Sequence, residues 1–298
     1  MKKLSKTAKR NIVAYSFIAP NFIGFAVFTL VPVLCAFVLA FTKWDGSNPM
    51  EFVGLSNFKE LFGNKLFRAA VKNTIIYSIG TVPLTMAASL GLAVLLNKKV
   101  FGRAVFRTIA FFPYVASLVA VTAVWKMLFS KSGPVNAILY YVFKVPSDQL
   151  PKWFVGGLAL VSFILFSVWK YMGYYMVIYL AGLQGISAEL YEAASLDGAS
   201  GWQKFRYITV PQLKPTSFFI TVMLTINCFK VFDVAVLLAG GDSNSLTESS
   251  EVLVHFIYQK AFGEWRLGYA SAAAMVLFIF VLVVTLVQFR GESKYANS

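Results

Sequence analysis

A largely apolar stretch of the chain contains one asparagine and two ionisable residues. The stretch runs from Pro215 to about Gly241, and Asn227, Lys230 and Asp233 recur in it every third residue. Ionisable groups are costly inside a membrane and commonly mark a substrate path, an ion path or a proton relay. Asn227 lies about 12 residues into the stretch, a helical rise of roughly 18 Å, which is near the centre of a bilayer.

Two interpretations of this polar stripe remain open. The stripe hydrogen-bonds a polyol that passes along a translocation pathway, or it clamps neighbouring helices together. In either case Lys230 and Asp233 can neutralise each other as an i, i+3 pair on one helix. The spacing alone does not choose between a pathway and a clamp.

Tyrosines in an earlier apolar stretch provide a second group of candidates. Tyr174 and Tyr175 follow Gly173, a hinge-like position. Aromatic faces with polar tips suit stacking on sugar rings, although tyrosines in membrane helices also pack or anchor. Asn73 is a weaker candidate in another apolar stretch. The candidate substrate-pathway residues are therefore Asn227, Lys230, Asp233, Tyr174, Tyr175 and Asn73.

The sequence gives no sign of catalytic or metal chemistry. His255 is the only histidine, so neither a metal site nor a histidine-based catalytic group is indicated. No Gly-x-x-x-x-Gly-Lys-Ser/Thr segment occurs, so a phosphate-cradling loop of that kind is absent from the sequence. An intramembrane enzyme would have only Lys230 and Asp233 as paired groups at one depth. We expect no catalytic residue, no metal site and no cofactor in this chain.

The composition indicates that apolar helices in a membrane position these residues. Of 298 residues, 58% are hydrophobic and 13% are charged, about half the charged share of soluble domains. A membrane-spanning helix needs about 20 largely apolar residues. The sequence predicts an all-α protein with one transmembrane domain over residues 1–298, a tail over 1–11, and about six spans near residues 12–41, 73–97, 105–128, 153–183, 215–240 and 267–289.

The placement of charge predicts the orientation of these spans. The net charge is +14, but fourteen basic residues and four acidic residues fall in the tails and in alternate connections, whereas the opposite connections hold eight acids. Cytoplasmic loops carry the excess of lysine and arginine. Both termini and the loop over residues 184–214 are therefore predicted to be cytoplasmic. The basic excess reflects topology, and no nucleic-acid partner is expected.

The predicted cytoplasmic loop carries strong helix signals. Ser187 can cap a first helix, which Gly198 ends in a left-handed conformation. Ser200 and Gln203 have the spacing of a capping box and start a second helix. Pro211 is predicted to stop the second helix and turn the chain back towards the fifth span. The product is a short, exposed helix–turn–helix on which Ala193 and Ala194 form a low ridge.

This loop resembles the EAA motif of ATP-binding-cassette importer permeases. The matching positions are Glu192-Ala193-Ala194, Gly198, Ile208 and Val210-Pro211. Further segments are similar to the carbohydrate branch of that family, and to its maltose-transporter MalF-like members: Phe17-Ile18-Ala19-Pro20, Trp44-Asp45-Gly46, Phe52–Phe58 and Gly268–Ala272. The first outer loop is too short to hold the large extra domain of the enterobacterial maltose protein.

The resemblance implies a type I importer permease for a sugar or oligosaccharide in the bacterial cytoplasmic membrane. Its partners would be a second homologous permease, two copies of an ATPase that binds ATP and magnesium, an extracytoplasmic solute-binding protein, and membrane lipid. The residues that would couple the chain to the ATPase are Glu192, Ala193, Ala194, Asp197, Gly198 and Pro211. The alternative function is an ion- or proton-coupled secondary carrier that acts without an ATPase. Against it, we find no internal sequence repeat of the kind such carriers commonly show.

Overall fold

The computed structural model describes residues 6–98, 101–240 and 246–296, and it is predominantly helical. The helices are α1 (Lys6–Phe25), α2 (Val31–Leu39), α3 (Ser56–Gly63), α4 (Lys65–Asn97), α5 (Arg103–Val115), α6 (Leu118–Leu128), α7 (Pro134–Tyr141), α8 (Leu158–Gln184), α9 (Ala188–Leu196), α10 (Gly201–Lys204), α11 (Val210–Gln212), α12 (Lys214–Phe229), α13 (Asp233–Ala239), α14 (Leu253–Tyr258) and α15 (Leu267–Ala296). π-Helical turns occupy Ala26–Leu30, Phe205–Thr209 and Gln259–Gly263. Two short antiparallel strands, β1 (Thr42–Lys43) and β2 (Glu51–Phe52), pair with Thr42 opposite Phe52.

Four of the described helical segments are long and apolar enough to cross a membrane. They are Arg10–Leu39, Lys65–Asn97, Leu158–Gln184 and Leu267–Gly291. Two further pairs reach that length only together, because α5 and α6 meet at 98° and α12 and α13 meet at 51°. Counting each bent pair as one span gives six. The predicted span bounds and the single domain stay predictions, and the first five residues of the predicted tail 1–11 lie outside the described residues.

One compact unit comprises residues 1–63 and 257–278. No described side chain of Lys6–Leu39 is buried in this chain, as expected for a helix that faces lipid. Beyond it, the buried amide of Asn57 donates to the carbonyls of Ala40 and Thr42, at 2.9 Å each, and fixes α3 against the strand. The loop between the strands holds a tight turn at Asp45, whose carboxylate accepts hydrogen bonds from Asn48 and Ser47 that lower its pKa to about 2.

The second unit comprises residues 64–256 and 279–298, and it contains the candidate residues. The longest helix in it, α4, begins where the Asn64 side chain accepts the N–H groups of Leu66 and Phe67. Five buried α4 residues recur every fourth position: Asn73, Tyr77, Thr81, Thr85 and Ser89. Small and polar residues let membrane helices approach closely, and α4 packs along α8. Phe163 and Phe166 of α8 are fully buried in the same hydrophobic cluster as Tyr77.

Candidate functional site

A cavity of about 340 Å³ lies where both bent helix pairs approach α4 and α8. Its lining residues are Tyr77, Tyr114, Leu118, Tyr171, Tyr174, Tyr175, Met223, Leu224, Asn227, Cys228, Lys230, Val231, Phe232, Asp233 and Val234. The structure therefore brings together five of the six candidate pathway residues. The cavity volume is within the range of small-molecule sites, about 300–1,000 Å³.

Tyrosine rings form one wall of this cavity. Tyr114 of α5 stacks on Tyr174 of α8, with ring centroids 4.4 Å apart and planes inclined by 18°. Tyr171 and Tyr175 extend the wall in edge-on contacts, to Tyr114 and Tyr174 respectively. Tyr77 lies deeper, where its buried hydroxyl hydrogen-bonds Ser167 at 2.7 Å. The wall can offer ring faces and phenolic hydroxyls to a ligand.

The opposite wall is the break between α12 and α13. Helix α12 ends at Phe229, Lys230 and Phe232 have non-helical backbone, and Asp233 begins α13. Three polar residues at this break are exposed and line the cavity: Asn227, Lys230 and Asp233. A broken helix presents free backbone groups and polar side chains together, as in the binding sites of many transporters.

The prediction of an ion pair between Lys230 and Asp233 is wrong. No ion pair joins Lys230 to Asp233 in the part of the chain that the structure describes. The prediction assumed one continuous helix, on which an i, i+3 pair shares a face. Because α12 ends at Phe229 and α13 begins at Asp233, Lys230 lies in the break and does not share a helix face with Asp233.

Asn73 lies outside this cavity. Its buried amide donates to the backbone carbonyls of Glu248 and Glu251, at 2.9 and 3.0 Å. The neighbouring Thr74 hydroxyl accepts the N–H of Leu253 at 3.0 Å. These bonds hold the segment before α14 against α4. Asn73 also lines a separate cavity beside Lys72 and Glu248, so its pathway role stays a prediction.

A buried acid–histidine pair follows that segment and was missed by sequence reasoning. His255 Nδ1 lies 2.6 Å from a carboxylate oxygen of Glu251, and both side chains are buried. The residues are spaced i, i+4, which was the available signal. The structure places His255 on α14, stacked against Phe232 of the cavity wall. Among the described residues, no three His, Cys, Asp or Glu side chains group closely enough to hold a metal ion.

The loop between α8 and α12 has the helix caps that the sequence indicates. Ser187 accepts the N–H of Glu189 at 3.3 Å, and Ser200 and Gln203 form a reciprocal capping box. Gly198 has a φ of +75°, and the Ala199 N–H closes the turn on the carbonyl of Ala194 at 2.9 Å. The helices α9 and α10 are therefore joined by a tight left-handed turn.

Side-chain contacts fix α9 against the segment that follows it. The Tyr191 hydroxyl hydrogen-bonds Thr209 at 2.9 Å, and Lys204 donates to Ser195 at 2.5 Å. Glu192, Ala193, Asp197 and Gly198 are exposed, while Ala194 and Pro211 are half-buried. Leu196 and Trp202, which are 90% and 70% exposed, add apolar area to the same loop. The result is a braced surface with large exposed apolar side chains, a composition typical of docking sites.

Pro211 does not stop the second helix, contrary to the sequence prediction. The chain stays helical through Phe205–Thr209 and Val210–Gln212, and it first leaves helical geometry at Leu213. Pro211 occupies the start of a helical segment, where its missing N–H costs little. The preceding π-helical turn, in which the Val210 N–H reaches back to Phe205, accommodates the ring.

Tyr114 is the main cavity residue that sequence reasoning did not select. It lies in an apolar stretch directly after Pro113, and a polar-tipped aromatic beside a helix-bending residue was the available signal. Its contact with Tyr174 depends on packing between distant parts of the chain. Such packing is invisible to local spacing.

Comparison with known proteins relates this geometry to a family. Residues 85–294 match the family described as binding-protein-dependent transport system inner membrane component. A probable ABC transporter permease protein, YesP of Bacillus subtilis, is 37% identical over all of this chain and 96% of its own length. The lactose transport system permease protein LacF of Rhizobium radiobacter is 33% identical over 94% of this chain and 93% of its own.

A solved structure has the same fold across nearly the whole chain. It is a bacterial alginate ABC transporter in complex with an alginate pentasaccharide-bound periplasmic protein. The matched chain is 25% identical to this one, with a TM-score of 0.82, and the match covers 96% of both chains.

Proposed function

The chain belongs to the binding-protein-dependent transport system inner membrane component family, and we propose that it forms half of the pathway through which an importer admits a carbohydrate. As a member of this family it is an inner-membrane permease subunit. We further propose which class of substrate the chain carries, which residues contact that substrate, and which loop receives the conformational change of the ATPase.

The tyrosine-lined cavity is the observation that carries the substrate class. Flat phenolic rings suit the apolar faces of sugar rings, and Asn227, Lys230 and Asp233 offer donors and acceptors for hydroxyl groups. Such a polar cavity among apolar helices is suited to a hydrated substrate that crosses the membrane. The names of LacF and of the alginate transporter describe carbohydrate transport in those relatives, and they support the same class for this chain.

The braced loop over residues 184–214 supports a coupling role. Glu192, Ala193, Ala194, Asp197, Gly198 and Pro211 would transmit closure of the ATPase to α8 and α12, which flank the loop and line the cavity. Two copies of the ATPase, which would bind ATP and magnesium, a second permease and a solute-binding protein would complete the complex. In this account the chain itself performs no catalysis, and both termini and the loop are cytoplasmic.

The broken helices favour one alternative, an ion-coupled secondary carrier. Such carriers bind substrate and coupling ions at helix breaks near the bilayer centre, and Lys230 and Asp233 lie at such a break. This alternative predicts uptake by the chain alone, driven by an ion gradient. The docking loop has no role in it.

Deleting Glu192–Gly198 tests the coupling role. The deletion removes the exposed ridge and its turn, while the contacts of the cavity residues lie elsewhere on the chain. We expect the ATPase to detach and ATP-driven sugar uptake to fall to background, measured by co-purification and by uptake into cells. Gln212→Ala, which alters an exposed residue of the same loop, is the control, and we expect it to retain both ATPase binding and sugar uptake. Undiminished uptake in the deletion variant contradicts the proposal.

A further inference from the structure

A buried lysine lies beside the cavity without lining it. Lys170 of α8 is 6% exposed, and its ammonium group donates to the backbone carbonyls of Pro113 and Ala116, at 2.9 and 3.3 Å. Neither carbonyl belongs to the lysine's own helix. The Pro113 carbonyl lies in the last turn of α5 and the Ala116 carbonyl directly follows it, where α5 and α6 meet at 98°.

The break explains why these carbonyls need a partner. Helical geometry stops at Ala116, with ψ of 147°, and Ser117 has ψ of 126° before α6 begins. The last carbonyls of a helix lack N–H partners within the helix, and an unpaired carbonyl is costly away from water. The end of a helix also carries partial negative charge, which favours a cation. Lys170 supplies both the donors and the charge.

This contact also fixes a cavity residue. Tyr114 lies between Pro113 and Ala116 in the chain, and it stacks on Tyr174, one helical turn after Lys170. On the same side, a Cβ added to Gly173 would lie 1.8 Å from the carbonyl oxygen of Ala110. The close approach of Gly173 to Ala110 and the two hydrogen bonds of Lys170 therefore hold the end of α5, which carries Tyr114, against α8.

We propose that Lys170 is a positioning residue for the substrate pathway: it holds the broken end of α5 so that Tyr114 stacks on Tyr174 and presents a fixed aromatic wall to the sugar. This inference rests on the proposed function, because it assigns the wall to sugar recognition. Lys170 does not touch the sugar itself. Loss of its donors frees the α5–α6 break and lets Tyr114 leave the stack.

A double-mutant cycle on the reconstituted complex tests the proposal. The variants are Lys170→Met, Tyr114→Ala and the double variant. The wild-type complex is first tested with lactose, maltotriose and an alginate trisaccharide. The cycle then measures uptake of the sugar that the wild type imports fastest. We expect Lys170→Met to raise the half-saturating sugar concentration about tenfold, with a much smaller change in the maximal rate. Tyr114→Ala has a similar effect, and the pair is no worse than either single variant because both remove the same wall. Lys126→Met, on α6 away from the break, is the matched control and leaves uptake unchanged.

Three results overturn the positioning role. The first is an unchanged half-saturating sugar concentration in Lys170→Met. The second is a double variant in which the fold-changes of the two single substitutions multiply. The third is failure of Lys170→Met to assemble with its partners, which would assign Lys170 to folding. A wild-type complex that imports a non-carbohydrate solute in place of any sugar contradicts the proposed function and, with it, this inference.

Discussion

At the scale of single residues, two asparagines in apolar helices have different environments. The Asn73 amide is buried and already bonded to two backbone carbonyls. Asn227 is exposed to the cavity, one turn before the break in its helix. The sequence treats both as polar residues inside a span. Only packing separates a residue that holds the fold from one that meets the substrate.

Substitution of each asparagine by leucine separates the two roles. Asn73→Leu leaves one buried and one partly buried carbonyl without this donor, which costs about 1–3 kcal/mol, so we expect a lower melting temperature of the purified complex. Its half-saturating sugar concentration stays near the wild-type value. Asn227→Leu has the reverse effect: little change in melting temperature, and a half-saturating concentration raised by about fivefold or more.

Thermal unfolding and sugar uptake on the same two preparations provide the measurement. A stability loss in Asn227→Leu with unchanged sugar affinity contradicts its pathway role. Equally, a specific loss of sugar affinity in Asn73→Leu contradicts a purely structural role for Asn73, in which it only holds the segment before α14 against α4.

At the scale of elements, helix ends were more predictable than helix breaks. Ser187, Gly198 and the Ser200–Gln203 capping box were identified correctly, because a cap is a local pattern of a few residues. The breaks at residues 116–117 and 230–232 were missed, because partners elsewhere in the fold decide whether a membrane helix bends. Lys170, more than fifty residues from Pro113, is one such partner.

The turn at Gly198 gives a prediction for the coupling loop. Its φ is +75°, and a Cβ there would meet no atom within 4 Å, so a substitution changes backbone preference without a clash. Asn tolerates this left-handed conformation, whereas a β-branched residue does not. We expect Gly198→Asn to keep ATPase binding, and Gly198→Val to weaken it by about tenfold, since the turn costs about 1–2 kcal/mol more.

Co-purification of the ATPase with each variant is the measurement. Equal loss in both variants would show that the residue's size, rather than its backbone, matters for docking. Equal retention would show that the turn is not needed for it.

At the scale of the whole molecule, composition and charge predicted the class of protein. The all-α permease fold and the family resemblance inferred from the sequence are confirmed by the family match and by the solved transporter of the same fold. Hydropathy indicates the spanning helices, because a membrane helix must be apolar along its length, whereas the motif over Glu192–Pro211 indicates the family. The cavity could not be predicted, because it is formed by Tyr77, Tyr114, Tyr174 and Asn227, which are far apart in sequence.

The exposure of the cavity residues also agrees with a pathway shared between subunits. Asn227, Lys230 and Asp233 are exposed on this chain, and the pathway would close only against a second permease. A chain that moved sugar alone would have to enclose these charges itself, because charged groups in contact with lipid are costly.

Uptake by reconstituted liposomes tests the central claim most directly. Labelled lactose, maltotriose and alginate trisaccharide are offered outside, with the binding protein, to vesicles that hold this chain, its partner permease and the ATPase, with ATP inside. We predict that at least one sugar is taken up. This uptake requires ATP and every subunit, and it is lost in the Glu192–Gly198 deletion variant. Uptake by this chain alone, driven by an ion gradient without ATP, would contradict the account.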